Sequence, residues 1–350
     1  MKLSDFDYEL PKELIAQVPL ENREDSRLMI INRQSWQILD KHFFDIFDCL
    51  WENDVLVVNN TRVINARLKW HIIDKDDNLN NSEIEIFLHK QISINSWDCL
   101  VYPWRKLKIW KKVIISNHLK EKDLVWIIKE VSESWRIVEF NIWWQDFLDI
   151  VDNVWHTPLP PYIKEKLKDK ERYQTVFNKN IWSVAAPTAW LHFSKSLIEK
   201  LKYKWVIFEE VLLNVWLWTF KWVESENILE HKMHKEYIEL DKQTADRLNN
   251  YKKLWKRIIA VWTTSVRVLE SMANNKLILE AWKKETDIFI YPWYKRKFVD
   301  SMITNFHLPK STLLMLVSSF AWKNLIDEAY KKAIKEKYRF FSFWDAMFIE

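Results

Sequence analysis

The spacing of hydrophobic positions changes along the chain, and each change predicts a different kind of element. Leu10–Ala16 carries a short helical signal with Pro11 near its first turn. Arg27–Asn32 then reads as a strand, with Gln37–Asp40 as its hairpin partner across a turn at Trp36. Asp54–Asn59 is a continuous apolar run ending in polar residues, which predicts a buried strand.

From Ala66 to Val154 short alternating runs take over. Ile84–Leu88, Asp98–Tyr102, Val113–Ile115, Leu124–Ile128 and Arg136–Phe140 are separated by polar turns, the signature of a small antiparallel barrel or sandwich. Asp146–Val154 reads as a helix that closes this stretch. Beyond Pro158 helical and strand patterns alternate. Helices are predicted at Ser194–Tyr203, Lys242–Leu254, Ser265–Asn274, Ser311–Trp322 and Asn324–Tyr338. Strands are predicted at Val206–Leu213, Arg257–Val261 and Ile288–Tyr291. Such alternation predicts an α/β main domain. Because α/β-type segments flank the barrel-like stretch on both sides, the barrel is an insertion. The division predicted is residues 1–65 plus 155–350 for the α/β domain and 66–154 for the inserted small antiparallel β-barrel.

Composition changes how these turns are read. The 350 residues contain no glycine and 23 tryptophans. Ordinary usage would give about 25 glycines, and the tryptophans stand where turns require one. Examples are Tyr291-Pro292-Trp293-Tyr294 and Val215-Trp216-Leu217-Trp218-Thr219. Glycine serves such turns because it alone takes positive φ without steric cost. We read most of the tryptophans as glycine positions, as follows if the gene writes glycine as UGA and the codon is read with another table. Trp97, in a strand-like run before Asp98-Cys99-Leu100-Val101, fits a true tryptophan. Tryptophan masses at Trp190 and Trp262 in the native protein would overturn this reading.

Charge and cysteine usage narrow the class. The net charge of +4 suits a nucleic-acid partner without specifying one. Cys49 and Cys99 have neither metal-ligand spacing nor a disulfide framework. No apolar run could span a bilayer and no leader follows Met1, so a cytoplasmic protein without membrane attachment is expected.

Five segments could carry chemistry. Asn59-Asn60-Thr61-Arg62-Val63 follows the buried strand, where open α/β sheets place ligands, although a capping turn explains it equally well. Ala185–Phe193 is a loop of small residues containing Thr188 and His192, the latter able to act as acid or base. Val261-Trp262-Thr263-Thr264-Ser265-Val266-Arg267 joins a strand to a helix. With glycine at 262 it is an anion or ribose cradle, and its hydroxyls would also serve as an N-cap. Thr304–Pro309 brings Asn305 and His307 into one loop. His231 and His234 could share a helical face, but no carboxylate–histidine pattern completes a metal site.

Together with Asp7-Tyr8-Glu9-Leu10-Pro11, His156–Ile163, Tyr173-Gln174-Thr175-Val176, His231–Tyr237 and Lys337–Ser342, these strings resemble one family. It is the S-adenosylmethionine:tRNA ribosyltransferase-isomerases of queuosine biosynthesis. The resemblance spans essentially the whole chain. The family has glycine where Trp155, Trp182, Trp190, Trp205, Trp216, Trp218, Trp262, Trp293 and Trp344 stand here. It commonly has histidine at Asn214, which is therefore given no acid–base role, and often proline at Trp222.

The resemblance implies a monomeric enzyme with no metal and no prosthetic group. S-adenosylmethionine is its co-substrate, and its partner is tRNA carrying 7-aminomethyl-7-deazaguanine at the wobble position. The ribosyl part is transferred and rearranged to give epoxyqueuosine, with adenine and methionine released. That chemistry points to His192 and His307 as base or proton carrier. Thr188, Thr263, Thr264 and Asn305 would hold ribose and adenine. Arg62, Arg67 and Arg267 would meet the methionine carboxylate or tRNA phosphates, and Asn60, Thr61, Tyr173 and Gln174 would face the tRNA. The alternatives are an S-adenosylmethionine-dependent tRNA methyltransferase, hinted at by a Gly-x-Gly-like run at 215–219, and a non-catalytic tRNA-binding protein.

Overall fold

A computed structural model describes residues 1–63, 67–73, 79–93, 95–103, 105, 107–109, 112–115, 124–131, 136–141, 180–183, 192–214, 223, 225–340 and 345–350. The chain divides into two compact units, Met1–Arg62 with Pro160–Glu350, and Val63–Leu159. Among the described residues no helix is long and apolar enough to cross a membrane.

The first unit is built on a nine-stranded mixed sheet. Its strand order is Lys283–Thr286, Glu236–Glu239, Ile207–Leu213, Val55–Asn59, Ile258–Val261, Ser301–Asn305, Ala346–Ile349, Arg27–Asn32 and Gln37–His42. The four strands from Ile207–Leu213 to Ser301–Asn305 run parallel. Ala346–Ile349 returns antiparallel beside Ser301–Asn305, and Arg27–Asn32 runs parallel to Ala346–Ile349. Val55–Asn59, Ile258–Val261 and Ser301–Asn305 are buried at every position. That is the expected pattern for parallel strands covered on both faces.

Three of the helices that flank these strands are capped by the side chain their sequence places before the first turn. Lys195–Tyr203 is capped by the Ser194 hydroxyl, which accepts from Leu197 N–H. Lys242–Lys253 is capped in the same way by Asp241 through Thr244 N–H. Thr312–Phe320 uses Ser311, which accepts from Leu314 N–H.

The second unit is a six-stranded antiparallel sheet. Its order is Arg67–Ile73, Leu79–Gln91, Ser96–Tyr102, Arg136–Phe140, Leu124–Val131 and Lys112–Ile115. The two outer strands, Arg67–Ile73 and Lys112–Ile115, approach one another, so the sheet curls like a barrel. Alternate residues point inward, among them Trp97, Cys99, Val101, Trp126, Ile128, Val138 and Phe140. Trp126 meets Phe140 edge-on at 5.1 Å. Trp97 and Trp126 are buried on strands, and neither has positive φ.

Several other described tryptophans stand in left-handed backbone. Among the described residues nine have positive φ, and five of them are Trp36, Trp205, Trp255, Trp262 and Trp293. Two of these close helices in one specific way. After Lys195–Tyr203, Trp205 N–H bonds Lys202 C=O and Val206 N–H bonds Leu201 C=O. After Lys242–Lys253, Trp255 N–H bonds Lys252 C=O and Lys256 N–H bonds Tyr251 C=O. Both are Schellman motifs, whose left-handed residue is usually glycine. The indoles there are 72% and 95% exposed, so packing gives them no compensating benefit.

Two expectations differ from the structure. Ile288–Tyr291 forms no strand; the edge strand is Lys283–Thr286 instead. The Thr286 hydroxyl accepts from Ile288 N–H, and the chain leaves the ladder there. His231–Lys235 is not helical, so His231 and His234 share no helical face. Among the described residues no three histidine, cysteine or carboxylate side chains form a metal-binding group. The helix expected at Asp146–Val154 lies outside the described residues.

In a chain made with glycine at the remaining unsuitable positions, Trp205→Gly and Trp255→Gly should each stabilise the fold. Relief of a left-handed Cβ clash is worth about 1–2 kcal/mol. Thermal unfolding of the paired variants checks this, and an unchanged or lower midpoint would count against glycine at these caps.

Candidate active site at the strand edge

Because four central strands run parallel, their C-terminal ends meet at one edge of the sheet. Asn59, Asn214, the Trp262–Thr264 turn and Asn305 all lie there. The antiparallel return brings Asp345, and the start of Arg27–Asn32 brings Ser26, to the same edge. All of these side chains are buried, an unusual density of polar groups for a protein interior.

Asn59 ties three elements together. Its Nδ2 donates to Leu213 C=O at 2.9 Å and to Thr264 Oγ1 at 3.3 Å. Its Oδ1 accepts from Leu213 N–H at 3.2 Å and Thr61 N–H at 3.3 Å. The helix Thr263–Met272 begins at this point, directly after strand Ile258–Val261. Trp262 precedes it with φ 76° and ψ 160°, and no side chain caps the helix. That backbone region is essentially reserved for glycine. The Trp262 indole is buried, and its N–H has no acceptor among the described residues. An indole here therefore fills the space beside the first turn of the helix with a group that the site does not satisfy.

Arg267 projects from the same helix and is 2% exposed. It forms a buried ion pair with Glu236, from the neighbouring strand Glu236–Glu239. Its Nε and Nη2 have no hydrogen-bond partner among the described residues. Desolvation lowers its pKa to about 10, opposed by the nearby Asp287. A buried guanidinium with spare donors is suited to a carboxylate or phosphate oxygen.

The two candidate histidines lie at this edge and differ in their fixing. His192 Nε2 is 2.9 Å from Asn305 Nδ2, and its Nδ1 is 2.8 Å from Ser26 Oγ. The Phe43 ring packs on the imidazole with centroids 5.0 Å apart. Burial, with Arg339 and Arg23 nearby, lowers its pKa to about 3. His307 Nε2 lies 3.0 Å from Thr304 Oγ1. Its backbone is pinned: its N–H donates to Tyr330 Oη at 2.8 Å, and its C=O accepts from Tyr8 Oη at 2.5 Å. Burial alone lowers its pKa to about 3 as well. Both imidazoles are neutral at physiological pH and can accept a proton only transiently.

Thr263, Thr264, Arg267, Asn305, His192 and His307 are thus gathered on one edge. Trp262 N–H bonds Ile303 C=O at 2.7 Å, which places the Thr263–Thr264 turn beside the strand that ends in Asn305. Thr61 is buried next to Asn59, while Asn60 Nδ2 donates to Glu210 Oε2 at 3.1 Å. Arg62 and Arg67 lie on strands Thr61–Val63 and Arg67–Ile73, with side chains outside the described residues. Thr188, Tyr173 and Gln174 lie wholly outside them.

Sequence reasoning missed Ser26, Arg23, Arg339 and Glu236. Arg339 has a buried Nη1 with no partner among the described residues, and its electrostatic influence reaches His192. Only the Lys337–Ser342 and His231–Tyr237 strings flagged two of these positions, and no local signal flagged Ser26.

The chain is similar to known proteins over its whole length. A family model described as queuosine biosynthesis protein matches residues 3–349. The S-adenosylmethionine:tRNA ribosyltransferase-isomerase of Carboxydothermus hydrogenoformans is 48% identical over 349 residues, covering 100% of both chains. That of Halothermothrix orenii is 47% identical over 350 residues, again covering 100% of both. The crystal structure of an S-adenosylmethionine tRNA ribosyltransferase from Thermotoga maritima superposes with a TM-score of 0.55 at 35% identity. It covers 99% of this chain and 100% of its own.

The two histidines predict an acid-sensitive fold. An unfolded histidine titrates near 6.5, whereas both sit at about 3 when folded. Between those values the unfolded chain holds more protons, so stability is full above about pH 6.5 and declines as pH falls. Each histidine should contribute a slope of about 1.4 kcal/mol per pH unit. Urea denaturation between pH 6.5 and 5 measures this, and a flat profile would show that the imidazoles are not buried neutral.

Proposed function

This chain belongs to the queuosine biosynthesis protein family, and we propose the following use of its strand edge. The enzyme is an S-adenosylmethionine:tRNA ribosyltransferase-isomerase. It transfers the ribosyl group of S-adenosylmethionine to the amine of 7-aminomethyl-7-deazaguanine at the tRNA wobble position. Rearrangement gives epoxyqueuosine-tRNA, with adenine and methionine released. The observation that carries the assignment of the site is the meeting of a neutral, buried imidazole with Asn305 beside the Thr263–Thr264 turn.

The positive sulfur of S-adenosylmethionine acidifies the adjacent C–H bonds, so the reaction starts with a base. In our reading His192 Nε2 takes that proton when the substrate displaces the Asn305 amide from it. The pKa of about 3 reflects desolvation by burial; a polar substrate replaces the solvation that burial removes. His307 is the second proton carrier. Thr263, Thr264, Asn305 and Thr188 hold the ribose hydroxyls and adenine. Arg267 receives the methionine carboxylate, with Glu236 keeping the guanidinium oriented.

Arg62, Arg67, Asn60, Thr61, Tyr173 and Gln174 meet the tRNA. The modified base lies in a single-stranded loop, where proteins read splayed bases by stacking and edge contacts. The reading includes no prosthetic group and takes a single chain as the working unit in the cytoplasm.

Adenine release on substrate tRNA tests the reaction class. His192→Ala should lower turnover by roughly 10²–10⁴-fold, the usual contribution of a proton-transfer group, and leave tRNA affinity nearly unchanged. Full turnover in that variant would reassign the base to His307. S-adenosylmethionine labelled in the ribose carbons should label the tRNA. Label arriving only from the methyl carbon would overturn the assignment in favour of methyl transfer.

A further inference from the structure

Ser26 has no place in the chemistry described so far, yet its hydroxyl touches the imidazole that does. We propose that Ser26 is a positioning residue that locks His192 in the tautomer able to act as a base, an inference that rests on the role given to His192 above.

The argument is a count of hydrogens. A serine hydroxyl has one proton to donate. Ser26 Oγ lies 3.0 Å from Arg23 C=O, which can only accept, so the hydroxyl proton is committed there. The contact between Ser26 Oγ and His192 Nδ1 at 2.8 Å must then run the other way, with Nδ1–H donating to the serine oxygen. A neutral imidazole carries one N–H, which leaves Nε2 with its lone pair. That lone pair faces Asn305 Nδ2, an amide that can donate. Reversing any one bond in the series Asn305–His192–Ser26–Arg23 would face two donors or two acceptors against each other.

The same count excludes Ser26 as a nucleophile. A nucleophilic serine gives its proton to the imidazole, whereas this hydroxyl points away from it. Ser26 is also held rigidly from both sides. Its C=O accepts from Phe43 N–H at 2.7 Å, and the N–H of the next residue, Arg27, donates to Asp345 Oδ1 at 2.8 Å. Asp345 Oδ2 in turn accepts from Arg339 N–H at 2.7 Å. The Phe43 ring on the imidazole face limits rotation of His192. When Nε2 gains the substrate proton, its lone pair forms the new N–H bond, and the pair of the broken C–H bond stays on the carbon beside the positive sulfur. The resulting imidazolium still donates from Nδ1 to Ser26, so that hydrogen bond survives the gain of charge.

Nitrogen NMR on the full chain labelled with ¹⁵N-histidine tests the tautomer directly, with His192 assigned by its absence in His192→Gln. The expected spectrum has Nδ1 protonated and Nε2 bare. In Ser26→Ala the two tautomers should mix, and kcat should fall roughly fivefold to tenfold, the scale of one neutral hydrogen bond. KM for both substrates should hold, and Ser26→Thr should restore both readouts. An Nε2-protonated wild type, or an unmixed tautomer in Ser26→Ala, would overturn the inference. Loss of activity in His192→Ala without any change in Ser26→Ala would overturn it while leaving the base in place. Full activity in His192→Ala would overturn the positioning role together with the base.

Discussion

The parallel pairing of Val55–Asn59 with strands on both sides is the constraint on which the rest depends. A strand buried on both faces can tolerate polar side chains only where it ends. Parallel neighbours must end at the same edge, so their polar residues meet. Asn59 exploits this by bonding across to Leu213 and up to Thr264, and thereby fixes where helix Thr263–Met272 starts. The antiparallel strand Ala346–Ile349 then adds residues that precede it, and Ser26 and Asp345 join groups that lie hundreds of positions away in sequence.

Burial at this edge sets the chemistry as much as the geometry does. Desolvation holds His192 and His307 neutral and lowers the pKa of Arg267. A neutral imidazole is a competent base but a poor resting cation, and a guanidinium short of partners is a poor resting state too. A polar partner that brings a carboxylate to the guanidinium and hydroxyls to the imidazoles improves both conditions.

The strand–helix alternation was legible because long periodic segments announce themselves, as at Lys195–Tyr203 and Lys242–Lys253. The motif Val261–Arg267 was legible because a tight turn before a helix has few other uses. Ser301–Asn305 was harder, since its short run Ser-Met-Ile-Thr-Asn mixes polar and apolar residues and is buried only through its neighbours. Ile288–Tyr291 has strand composition but no free ladder beside it, so a local Thr286 bond prevailed. Ser26 was invisible because its meaning comes from strand order alone. Glu236 is an ordinary glutamate in sequence and becomes a counter-ion only when Arg267 is placed beside it.

The tryptophans at the helix ends have a consequence outside the molecule. Trp205 and Trp255 occupy backbone conformations that the side chain itself opposes. If the cell inserts glycine there, the gene is folded correctly only by ribosomes that share its codon assignment. Transferred to a host with another assignment, the same DNA would yield a strained chain with exposed indoles. The geometry of two helix caps would then act as a lock on inheritance, keeping a gene for tRNA modification within the lineage whose own decoding it needs.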